Sequence, residues 1–127
     1  MATDIPHRGL MRLVHSSEEV LVAPDHPFLR AGILPRPALI EMLAQGAAWE
    51  MGGRAAERRQ AIVHGRLVAI RAMRFMGDVR AGDVLQMQFA PGPAFSQLAQ
   101  VHAIASVAGA VVAEVDMTFH VVTKTLV

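Results

Sequence analysis

The chain has no cysteine and no tyrosine, only one tryptophan, and a single lysine against eleven arginines. Without cysteine there is no disulfide, thiolate nucleophile or cysteine-type zinc site, which fits a reducing cytoplasm. Charged residues make up 18% and the formal net charge is +1, so neither disorder nor a polyanion-binding surface is expected, and nucleic acid is not an expected partner. No apolar run reaches the ~18 residues of a membrane span, and "MATDIPHRGLM" lacks a signal-peptide apolar region. These absences read as a soluble, cytoplasmic protein with no membrane partner. What the chain has in quantity is apolar side chains, 53% of 127 residues, enough for one core in a single domain over 1–127.

The first extended candidates are "GLMRLVHSS" and "EEVLVAP", two apolar runs around a polar Ser-Ser-Glu turn, which is hairpin-like. "DHPFLRAGILPRP" follows, with prolines and a glycine that forbid regular structure and mark an ordered loop. Pro37 suits the first turn of a helix, and Gly52-Gly53 are placed to terminate it. The intervening "ALIEMLAQGAAWEMGG" is apolar or small nearly all round, the pattern of a buried helix that other elements must wrap.

Four strand candidates supply the wrapping: "GRLVAIRAMRF", "GDVLQMQFAP", "FSQLAQVHAIAS" and "AVVAEVDMTFHVV". In the last, Val111, Ala113, Val115, Met117, Phe119 and Val121 alternate with Val112, Glu114, Asp116, Thr118 and His120, one apolar face against one mostly polar face. The final hairpin is expected to turn through Val107-Ala108-Gly109, which places His102 opposite Glu114 and Val101 opposite Val115. The expected class is α+β: a curved antiparallel sheet of five or six strands around one long helix. That description is the hot-dog fold.

"IPHRGLMRLVHSS", "HPFL", "LPRPALIEMLAQ" and "GRLVAIRAMRF" with "VRAGDVLQMQ" together resemble the bacterial β-hydroxyacyl-acyl-carrier-protein dehydratases across roughly residues 5 to 122. The most specific piece is the Glu-x-x-x-Gln pair at the helix start, Glu41 and Gln45. In that family the preceding loop carries Gly-His-Phe-Pro-Gly, whose histidine works with the helix glutamate of the other subunit of a homodimer. Here "RAGI" stands in that place and has no histidine. The resemblance is thus to a shorter-loop branch, of the type associated with aryl-polyene pathways. It implies a 3-hydroxyacyl-thioester dehydratase with no cofactor, acting on acyl carrier protein or coenzyme A thioesters as a homodimer or higher homo-oligomer.

At about 100° per residue Glu41 and Gln45 fall on one helical stripe with Ala48 and Gly52, so two polar groups point at one place bordered by small residues. A buried carboxylate without a cation partner can hold or deliver a proton near neutrality. β-Elimination of water needs that capacity, a second group to take the α-proton, and donors for the thioester oxygen. The backbone N–H groups of Ala38 and Leu39, with Arg36 just before them, are candidate donors at the helix start. The structural alternative is that Glu41 pairs with an arginine or a backbone donor and only fixes an interface, and that Gln45 satisfies loop carbonyls.

The candidate bases are His26, the loop histidine nearest Glu41 in sequence, and His7, in the family-like Pro-His-Arg, a position that also suits ordering the N-terminal segment. His64 is a more distant candidate, while His15, His102 and His120 read as turn or surface positions. No histidine pair has metal-ligand spacing, so no metal site is expected. Arg54, Arg58 and Arg59 follow the helix and suit phosphate, either on an acidic carrier protein or on coenzyme A; a solvated basic face is the plain alternative. Two rival functions share these residues: an acyl thioesterase of the same fold, and a non-catalytic acyl-thioester binder or dimer partner.

Overall fold

The computed structural model describes residues 16–126. Its elements are β1 (Ser16–Leu21), α1 (Arg36–Glu57), β2 (Gln60–Phe75), β3 (Val84–Phe95), β4 (Leu98–Val107) and β5 (Ala110–Thr125). The strands form one antiparallel sheet in the order β1-β3-β4-β5-β2. All four strand candidates after the helix are strands. Most of "GLMRLVHSS" lies outside the described residues, and the Ser-Ser-Glu stretch expected to turn instead opens β1, where Ser17 faces Gln88 and Glu18 faces Met87 of β3.

The curled sheet holds α1 against its concave face, and the core lies between them. Ala103, Ala105 and Ala113 are fully buried there, and larger side chains, Leu85, Phe89, Val115 and Met117, close the core around them. The helix answers with Leu39, Leu43, Gly46, Ala47, Met51 and Ala55, the three- and four-residue spacing of one face. Gly46 meets Phe89 so closely that a Cβ there would collide with the ring tip. The expectation of a helix buried all round is corrected: within this chain one face is covered, and Glu41, Gln45, Ala48 and Trp49 on the other are exposed.

The helix also runs past its expected end. Gly52 and Gly53 lie inside it, with open space around both, and it stops at Arg58 and Arg59, the latter in the left-handed conformation at φ 56°. Two glycines cost a helix about 1 kcal/mol each relative to alanine. Burial of Met51 and Ala55 on either side of them opposes that cost.

"DHPFLRAGILPRP" is an irregular, ordered connection. Its "RAGI" segment closes as a tight turn: Arg30 and Ile33 exchange backbone hydrogen bonds of 2.9 and 3.1 Å around Ala31 and Gly32, at φ 53° and 77°. Leu34 N–H donates to Val79 and Ala81 N–H to Gly32, which ties the turn to the chain entering β3.

The last hairpin corrects the expected register. Val107 pairs with Ala110 around a two-residue turn, Ala108-Gly109, and an irregularity at Ala105/Ser106 adds one residue on β5. His102 therefore stands opposite Asp116, and Val101 opposite Met117. The extra residue restores the alternation that a two-residue loop alone would have inverted. Among the described residues, no helix is long and apolar enough to cross a membrane.

Candidate functional site

The helical stripe Glu41, Gln45, Ala48 and Gly52 lines a cavity of about 410 Å³. Its opposite wall is Ile62, Gly65 and Leu67 of β2 with Phe119 of β5. Two features leave this space open. The stripe narrows to Ala48 and Gly52 beyond Gln45, and β2 carries Gly65, whose missing side chain keeps the strand's wall low.

Gln45 Nε2 donates to Glu41 Oε2 at 3.0 Å, across one helical turn. This bond orients both side chains and leaves Glu41 Oε1 for another partner. No arginine pairs with Glu41 among the described residues. The expectation that Glu41 is buried is corrected: it is exposed at the rim of the cavity. The cavity is thus an apolar trough with one carboxylate and one amide at its edge.

The expected donors are placed differently from the sequence reading. Leu39 N–H is occupied, donating to Pro35 C=O at 3.1 Å, and its side chain is buried in the core. Ala38 is half-buried and packs against the core. Arg36 lies over the Phe75 ring, 4.7 Å from its centroid, a cation–π contact that fixes it against the end of β2.

No described histidine lines this cavity. His26 sits in the loop before α1, where its Nδ1 accepts the Phe28 N–H at 3.1 Å and its ring meets Phe28 edge-on. His64, placed by sequence as a distant candidate, packs against His120 instead, with ring centroids 5.9 Å apart. His102 is half-buried against Asp116, with its Nε2 3.4 Å from Glu114, which also meets Arg74 at 3.3 Å. The sequence reading set His102 beside Glu114; Asp116 and Arg74 were not read, because they depend on the observed registers of β4 and β2 on β5. His7 and His15 lie outside the described residues. No group of three His, Asp or Glu side chains among the described residues is arranged to hold a metal.

The three arginines after the helix separate. Arg54 and Arg58 line a second cavity of about 240 Å³ at the C-terminal half of α1, whereas Arg59 sits at the helix end outside that lining. Sequence reasoning missed the β2 and β5 walls and this second cavity. Gly65, a glycine inside a strand, was the available signal for the first.

No protein-family model matches the chain, and no curated protein matches its sequence. Solved structures do resemble it. The dehydratase heterocomplex ApeI:P from Xenorhabdus doucetiae is 26% identical, with a TM-score of 0.74, over 93% of this chain and 88% of that one. The hexameric thioesterase y2039 from Yersinia pestis is 16% identical, with a TM-score of 0.69, over 83% and 84%. A hypothetical thioesterase with coenzyme A from Streptococcus pneumoniae is 12% identical, with a TM-score of 0.69, over 88% and 89%. The strand order, the helix on the concave face and these likenesses identify the chain as a hot-dog fold protein, 26% identical over most of its length to a dehydratase heterocomplex.

Proposed function

We propose that the protein is a 3-hydroxyacyl-thioester dehydratase, which removes water from a carrier-bound chain to give a trans-2-enoyl thioester. The observation that carries this reading is the Glu41–Gln45 couple at the edge of an otherwise apolar trough. Likeness to a dehydratase heterocomplex over 93% of the chain supports it. In this reading the acyl chain lies in the trough with its 3-hydroxyl at Glu41. Glu41 gives a proton to the departing hydroxyl as the C–O bond breaks, a base takes the α-proton, and the new double bond forms between the two carbons. Gln45 holds the Glu41 carboxyl in position.

The base comes from a second subunit. β2 is an edge strand, and Val63, Val68, Ile70 and Met73 on it are exposed, an arrangement proteins usually cover or pair. A second copy laid along β2 covers the open flank of α1 and brings its own loop toward Glu41. His26 of that loop is the first candidate base and His7 the second. Arg36 and the N–H of Ala38 remain the donors for the thioester oxygen, and the carrier is an acyl carrier protein or coenzyme A.

The rival with the same fold is a thioesterase, in which Glu41 activates water for attack on the thioester carbon. One assay separates them. The purified protein is incubated with 3-hydroxyacyl and 2-enoyl thioesters on both carriers, and the products are read by mass spectrometry. Interconversion of the two with intact thioesters supports the dehydratase; release of free acid supports the thioesterase; no change with either substrate removes both.

A further inference from the structure

The cavity beside Glu41 does not end at Gly52. Met51 and Ile62 line both it and the second cavity, so the two spaces meet at these side chains. From Glu41 to Arg54 the helix rises roughly 20 Å. Along that path the walls are Ala44, Ala48, Met51, Ile62, Leu67 and Ala55, all apolar. Polar groups reappear only at the far end, where Arg54 and Arg58 stand with Gln100 and Thr123. Arg54 is mostly buried, with 17% of its side chain exposed, and its ion pair with Glu50 is made through Nε at 3.9 Å.

We infer that this far cavity is a subsite for the end of the acyl chain, and that the preferred chain ends in a carboxylate held between Arg54 and Arg58. The inference rests on the reading of the Glu41 trough as an acyl-thioester site. A guanidinium fork matches a carboxylate, and a site partly shielded from water strengthens the pairing. The helix C-terminus by itself repels an anion, so the two arginines must supply the attraction. A phosphopantetheine arm fits the passage poorly, because its two amides would lie in the apolar stretch without partners. A hydrocarbon segment has no such groups, and a chain of about sixteen carbons spans the distance once the arginine side chains lean back toward the helix N-terminus. Met51, flexible and shared by both cavities, is the side chain that must yield for the chain to pass.

The test compares N-acetylcysteamine thioesters, which carry no phosphate. 3-Hydroxyhexadecanoyl and 3-hydroxyhexadecanedioyl thioesters, differing at the far end in methyl against carboxylate, are titrated by calorimetry into the wild type, Arg54→Met/Arg58→Met and Met51→Trp. Free coenzyme A is titrated in parallel. The wild type is expected to bind the carboxylate-ended chain about tenfold or more tightly than the methyl-ended one, the scale of a charge-assisted hydrogen bond. The arginine variant should lose that preference while binding 3-hydroxybutyryl thioester as before. Met51→Trp, which plugs the passage and keeps both arginines, should lose it too. Equal binding of the two long chains by the wild type, or an unchanged preference in the arginine variant, overturns the inference. So does an arginine variant whose only defect is weaker binding of coenzyme A, which would make the far cavity a phosphate site. Because binding is read without turnover, a chain-end preference in a protein that eliminates no water would sink the dehydratase reading and leave the subsite standing.

Discussion

Gly46 sets how near the helix lies to the sheet. A Cβ at this position would strike the Phe89 ring tip, and Phe89 is itself buried with 1% of its surface exposed. Gly46→Ala should therefore destabilise the protein by about 1 to 3 kcal/mol, the scale of overpacking, even though alanine is the better helix former. Chemical denaturation checks it; an unchanged or raised stability would mean that the ring moves aside freely. At this same scale the pairing of Glu41 with Gln45 was legible in the sequence, since residues four apart on a helix are neighbours whatever surrounds them. The exposure of Glu41 was not. It depends on which element covers the helix flank, and apolar neighbours such as Leu39 and Leu43 belong to the opposite face. The loss of Leu39 as a donor has a similar cause, because its N–H closes the first turn on Pro35.

Among the elements, the β4–β5 hairpin carries a correctable strain. Ala108 and Gly109 both have positive φ, 51° and 82°, the conformation of a two-residue turn that favours Asn-Gly. Alanine tolerates it at a cost of about 1 kcal/mol. Ala108→Asn should recover roughly that amount, seen as a rise in melting temperature of a few degrees with no change in fold. A fall would show that the turn is held by contacts beyond its backbone. The alternation of β5 was readable because a face of buried Ala113, Val115, Met117 and Phe119 imposes a period of two. The register was not, because a bulge shifts the pairing without disturbing the period. The helix end was misread for a related reason: glycine permits termination but does not compel it, and Ala55 beyond the two glycines is buried in the core.

For the whole molecule, the order of elements was enough to give a sheet wrapped on one helix, since that helix has only the sheet against which to bury Leu39, Leu43 and Met51. The open flank between α1 and β2 could not be read the same way, because which element covers a helix flank depends on the packing of the whole fold and not on the helix's own sequence. The assembly proposed above has a direct consequence. Val63 and Val68 are 62% and 44% exposed on the β2 edge strand. Val63→Lys/Val68→Lys should leave the core intact and convert the protein to a monomer at micromolar concentration by light scattering, with loss of activity. A wild type that is already monomeric would remove the shared site along with the interface.

The central claim is that Glu41 is chemistry rather than scaffold, and one measurement bears on it most directly: turnover of a 3-hydroxyacyl thioester to the enoyl thioester by the wild type and by Glu41→Gln, with melting temperature and assembly read on the same samples. Glu41 is exposed and pairs with no arginine among the described residues, so the amide should keep shape, stability and assembly. Turnover should fall by about two powers of ten or more, the contribution of a positioned general acid. A Glu41→Gln protein that is stable and fully active, or a wild type that eliminates no water from any carrier thioester, would contradict the account.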